Sequence, residues 1–144
     1  MLRPMIVAAF LVVSVSALLA EAPPPPGPIT VHRAEGAIKI DGDLSDPGWK
    51  NAAVIDKFYE TSPSDNIPAK VRTVAYLTYD DHFFYVGMIM YDPSPRSIRA
   101  PYSDRDNISD ANDFAGIFLS TSGDKKTAYE FFATPRGTQY DAIK

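Results

Sequence analysis

The chain has 144 residues, a net charge of −4, no cysteine, and aromatic residues at 12% of its length. The missing cysteines exclude disulfides, thiol chemistry and cysteine-held metals, so the core rests on packing, with a bound metal as the only other staple. The mildly acidic balance argues against nucleic acid or an anionic membrane surface as partner.

Residues 1–22 read as an export signal. Arg3 supplies the positive start and the stretch "MIVAAFLVVSVSALLA" the apolar region, interrupted by Ser14 and Ser16 and lacking a basic flank that would stop transfer. Ala20 and Ala22 form an A-x-A pattern at its end, although a cut after Ala22 leaves Pro23 first, a poor arrangement for a peptidase. An uncleaved anchor is the alternative. The expected destination is the periplasm, the outer membrane or the extracellular space, and removal of the signal leaves about 120 residues, enough for one modest domain. Residues 23–28, four prolines followed by Gly27 and Pro28, favour an extended polyproline spacer, so the folded domain is expected over residues 29–144.

Two short strands are predicted in "ITVHRA" (29–34) and "AIKIDG" (37–42), split by Glu35 and Gly36. "SDPGW" then carries a helix-start signal: Asp46 is placed to cap and Pro47 fits the first helical position, giving a single turn through about Ala53. Further on, residues 69–80, 83–92, 113–122 and 127–135 are rich in β-branched and aromatic residues and bounded by turn formers, which predicts four strands. Asp80, Asp81 and His82 join the first pair as a hairpin, and "SGDKK" joins the second. Strands of this length at close spacing predict an all-β fold, an antiparallel β-sandwich. The ending "GTQYDAIK" follows a strong strand without a polar taper, and the expectation is of a sandwich truncated at its C-terminus.

Chemistry concentrates in "SDRDNISDAND". Four aspartates and two asparagines within residues 104–113 make an oxygen-rich cluster of the kind calcium prefers, with Asp104, Asp106 and Asp110 as the candidate ligands. The spacing is not that of a helix-loop-helix calcium site, because the glycine position holds Ser109 and the closing glutamate position Ala115. Read plainly, the same stretch is a solvated loop with Asn112 or Asp113 leading into a strand. Arg105 serves either as counter-ion to these carboxylates or as donor to a sugar hydroxyl.

No G-x-S-x-G, H-E-x-x-H or phosphate-binding glycine loop occurs, and His32 and His82 sit in a strand and a turn, so a stand-alone enzyme is not expected. Strand aromatics such as Tyr76, Phe84 and Phe132 are read as core or cross-strand partners. Tyr59, Tyr91, Tyr102 and Tyr140 lie nearer loops, where an exposed ring could stack on a sugar.

Taken together, "IDGDLSDPGWKNA", "RTVAYLTYDDHFFYVGMIMYDPSP", "DRDNISDANDFAGIFLST" and "TAYEFFATPRGTQYDA" resemble the family 9 carbohydrate-binding-module-like domain found at the N-terminus of exported bacterial proteins that continue into a large β-rich domain. The resemblance runs from about Ile29 to the last residue. It implies a jelly-roll-like sandwich that binds oligo- or polysaccharide, often holds calcium and is usually attached to glycoside-degrading enzymes. It also implies that sandwich and second domain continue beyond the position of Lys144. The better-studied sugar binders of the family grip a sugar between two tryptophans, whereas this chain has only Trp49, expected here as a plug at one end of the core. The resulting expectation is a non-catalytic sugar-binding module using Tyr102, Arg105 and Asp113. The alternative is an interaction module that packs on a C-terminal β domain of the same protein and binds no sugar.

Overall fold

The computed structural model describes residues 27–63, 66–123 and 126–144. The expected signal at 1–22 and the four prolines of the spacer lie outside them. The described residues are all-β: eight strands, two 3₁₀ turns of three residues each and no α-helix. Among them no helix is long and apolar enough to cross a membrane. The chain gathers into two compact units, one reaching to Lys70 and including Val74–Met88, the other built from Val71–Thr73 and Ile89–Lys144.

The first unit contains β1 (Ala53–Ile55), β2 (Tyr59–Glu60), β3 (Ile67–Pro68), β4 (Thr73–Tyr79) and β5 (Phe84–Met90), the last two running past its boundaries. β1 pairs antiparallel with β4, and the sheet order is β1-β4-β5. β2 and β3 form a separate antiparallel pair. Val74 and Ala75 are buried on β4, and Thr78 is fully buried with its hydroxyl donated to the carbonyl of His32 at 2.9 Å. A buried hydroxyl needs such a partner to offset its lost hydration.

Trp49 is buried at 7% exposure, its ring edge-on to Tyr85 with centroids 6.3 Å apart. Gly87 on β5 makes room for it: a Cβ there would stand 2.7 Å from Leu44 Cδ2 and 3.2 Å from Trp49 Cη2. The tryptophan is therefore a plug, held against a strand position that carries no side chain. Its indole N–H is buried with no hydrogen-bond partner among the described residues.

Three expectations are corrected here. Residues 29–34 and 37–42 are not strands, and the first contributes only an isolated parallel bridge between Arg33 and Tyr79. Their peptide groups find other partners, which is what removes the need for a ladder. Asn51 Nδ2 donates to the Arg33 carbonyl, Lys39 N–H to Asp46 Oδ2 at 2.7 Å, and Gly48 N–H to the Ala37 carbonyl. The turn at Pro47–Trp49 is one 3₁₀ turn, with proline at its start as expected but no side-chain cap, because Asp46 is committed to Lys39.

The β4–β5 hairpin is closed by Asp80 as expected. Its Oδ1 accepts from the N–H groups of His82 and Phe83, and its Oδ2 from the Tyr85 hydroxyl at 2.7 Å. These donors hold the Asp80 carboxyl below the usual carboxylate range, the His82 N–H most and then the Tyr85 hydroxyl.

The second unit contains β6 (Ala115–Leu119), β7 (Tyr129–Ala133) and β8 (Gln139–Ile143), an antiparallel meander in that order. β8 is a further correction, since the final segment was expected to follow the last strand. Gly137, at φ +81, makes the turn: its N–H returns to the Thr134 carbonyl, and Thr134 N–H bonds the Thr138 carbonyl at 2.9 Å. Gly116 faces Phe132 across the ladder, and a Cβ there would lie 2.0 Å from the Phe131 carbonyl oxygen. The space goes to the Phe132 ring, which meets Phe114 and Phe118 edge-on at 5.4 Å each and Tyr140 at 6.0 Å. Buried Glu130 has Lys144 Nζ 3.3 Å from its Oε1, an ion pair not directed as a hydrogen bond.

Candidate functional site

The acidic loop is fastened in the second unit at three points. Arg99 and Asp113 clasp its ends: Asp113 N–H donates to the Arg99 carbonyl at 2.7 Å, and Arg99 returns its own N–H and its Nε to the carboxylate at 2.8 and 3.0 Å. The Arg99 N–H, and then its guanidinium, hold the Asp113 carboxyl below the ordinary range. Asn112, 3% exposed, donates to the Pro101 carbonyl and the Ser103 hydroxyl.

The third fastening is to β8. Asp106 gives its N–H to the Gln139 carbonyl at 3.0 Å and accepts the Asp141 N–H on Oδ1 at 3.1 Å. Its side chain thus stands in for a neighbouring strand on the outer edge of β8, which blunts that edge. Asp106 takes φ +61 to do so, a left-handed conformation that Asp tolerates better than most residues.

Between the loop and the β7–β8 turn lies a polar depression of about 360 Å³, open to solvent and lined by Ser103, Asp104 and Arg105 on one side and Arg136, Gly137, Thr138 and Gln139 on the other. Thr138 donates its hydroxyl to the Ser103 carbonyl at 3.1 Å, tying the two walls. Arg105 is engaged throughout: its terminal nitrogens bond Gln139 Oε1 at 2.6 Å and the Asp141 carboxylate, and its Nε lies 3.5 Å from Asp106. Arg136 donates Nε to the Ala100 carbonyl and lays its guanidinium over the Tyr102 ring, 4.4 Å from the centroid. Tyr102 remains 88% exposed.

Of the expected sugar contacts, Arg105 lines this depression and Tyr102 adjoins it through Arg136, while Asp113 is used by Arg99 as a loop clasp. Arg105 does act as counter-ion, to Asp106 and Asp141. The expected calcium ligands are spread. Asp104 lines the depression, Asp106 serves the β8 edge, and the Asp110 carbonyl accepts from Arg99. Among the described residues no group of three or more His, Asp or Glu side chains is gathered that could hold a metal ion. Asp104, Asp106 and Asp110 thus serve different parts of the loop.

Sequence reasoning missed Arg136, Thr138 and Gln139. The signal for them was the P-R-G stretch, which a reading of Gly137 as a hairpin turn would have brought next to the loop. Of the other candidate tyrosines, Tyr91 carries Arg72 over its ring at 4.8 Å and Tyr140 packs on Phe132. No protein-family model matches the chain, and no curated protein or solved structure matches it either.

Proposed function

We propose that the chain is a non-catalytic sugar-binding module of an exported protein that handles glycans, with a β-sandwich of jelly-roll-like strand order as its fold. The observation that carries this reading is the highly exposed Tyr102 ring beside a depression with both donors and acceptors. Sugars combine an apolar ring face with a rim of hydroxyls, so a site for them needs an aromatic platform next to fixed polar groups. Tyr102 supplies the first. Arg105, Arg136, Gln139 and Asp104 supply the second, and Arg105 is locked in place before any ligand arrives. Pre-organisation of this kind lowers the ordering cost of binding.

Asp104 is the one carboxylate among the lining residues. Calorimetric titration of the full chain with a panel of soluble oligosaccharides tests the reading. Saturable binding that Tyr102→Ala reduces at least tenfold is expected, and a folded chain that binds no sugar would overturn it.

One observation favours a second reading, an interaction module packed on a further β domain of the same protein. Tyr129, Phe131 and Ile143 share one face of the β6–β8 sheet at 39, 46 and 68% exposure, with Tyr129 and Phe131 stacked at 6.4 Å. A row of exposed apolar residues commonly marks a protein contact.

A further inference from the structure

We propose that the depression takes an acidic sugar, a uronic acid unit whose carboxylate is bound by Arg136. This rests on the sugar-binding reading of the same site and narrows its ligand.

The two arginines of the depression differ in what they have left to give. Arg105 already gives one N–H each to Gln139 and Asp141 and pairs with Asp106, so its charge is balanced by carboxylates of the chain. Arg136 uses Nε on the Ala100 carbonyl, and among the described residues no carboxylate lies within ion-pair distance of it. Its two terminal nitrogens make no hydrogen bond or ion pair with a described residue, and its guanidinium lies over the Tyr102 ring, 4.4 Å from the centroid. A planar guanidinium held from behind by a carbonyl and from one face by an aromatic ring presents a two-pronged fork, which matches a carboxylate better than a single hydroxyl.

Asp104 complements it. Its carboxylate lines the same depression with no hydrogen bond or ion pair from a described residue, so it is an acceptor for ring hydroxyls. A carboxylate for Arg136 and neighbouring hydroxyls for Asp104 describe a uronic acid. The net charge of −4 opposes long-range attraction of an acidic glycan, so the preference arises from contact and not from steering.

Titration of the full chain with trigalacturonate, its fully methyl-esterified form and a sulfated neutral trisaccharide tests this. Trigalacturonate should bind at least tenfold tighter than the ester, and Arg136→Lys, which keeps the charge but loses the fork, should collapse that ratio to below threefold with the ester's affinity changed less. Equal binding of acid and ester would overturn the carboxylate assignment while leaving the sugar-binding reading in place. Tighter binding of the sulfated sugar would also overturn it. No binding of any of the three, by chain shown to be folded by circular dichroism, would remove both.

Discussion

Arg136 lies over Tyr102 with its guanidinium 4.4 Å from the ring centroid, and the pair stands beside the depression that the acidic loop forms with the β7–β8 turn. Because Tyr102 is 88% exposed, the contact contributes little to the fold, less than about 1 kcal/mol for an exposed cation–π pair. Tyr102→Ala should therefore leave the urea midpoint nearly unchanged while weakening sugar binding at least tenfold. A large loss of stability would mean that the ring belongs to the core.

The edge of β8 makes a contrasting prediction. Asp106→Ala removes the acceptor of the Asp141 N–H and puts alanine at φ +61, so it should cost about 1–2 kcal/mol in urea unfolding. Asp106→Asn keeps an acceptor and a residue that tolerates the conformation, and should cost less than half as much. Equal losses from the two would show that the side-chain bond to β8 is not what holds the loop.

Two glycines distinguish rigid from yielding surroundings. At Gly116 a new Cβ meets backbone, the Phe131 carbonyl at 2.0 Å, which cannot move without shifting the ladder. At Gly87 the nearest atoms are the tip of Leu44 at 2.7 Å and the Trp49 ring at 3.2 Å, and a leucine tip can turn away. Overpacking costs about 1–3 kcal/mol. Gly116→Ala should lie at the upper end or beyond and Gly87→Ala at the lower end, as read by thermal unfolding.

The pH dependence follows from Asp80, Asp81 and Asp113. All three carboxyls are held below the ordinary range in the folded chain, Asp80 chiefly by the His82 N–H, Asp81 chiefly by the Arg33 guanidinium and Asp113 chiefly by the Arg99 N–H. A group whose folded pKa is depressed adds stability above its unfolded pKa and loses it as pH falls through the folded one. Stability should thus be level near neutrality and decline below about pH 4, the unfolded range of an aspartate. Asp80→Asn should flatten that decline when unfolding is followed across pH 2–6. An unchanged slope would place the acid sensitivity elsewhere.

How legible each part was depended on whether its partners lie close by in sequence. The β4–β5 hairpin was readable because Asp80, His82 and Phe83 satisfy one another locally. Trp49 was readable as a plug from the turn before it, though not its dependence on Gly87, a contact across 38 positions. Residues 29–42 misled because their β-rich composition says nothing of the side chains of Asn51 and Asp46, which take up their peptide groups. In the site, Tyr102 and Arg105 stood out by type and loop position. Arg136 did not, because its role comes from a turn at Gly137 that returns the chain beside residues 100–105.

Backbone amide shifts measured by NMR during titration of the full chain with oligosaccharide would test the central claim most directly, since they report both binding and place. Saturable shifts concentrated at residues 100–106 and 134–141, lost in Tyr102→Ala and Arg136→Ala, are the predicted result. Saturable shifts clustered elsewhere, or none at millimolar sugar in a folded chain, would contradict a sugar site at Tyr102 and Arg136.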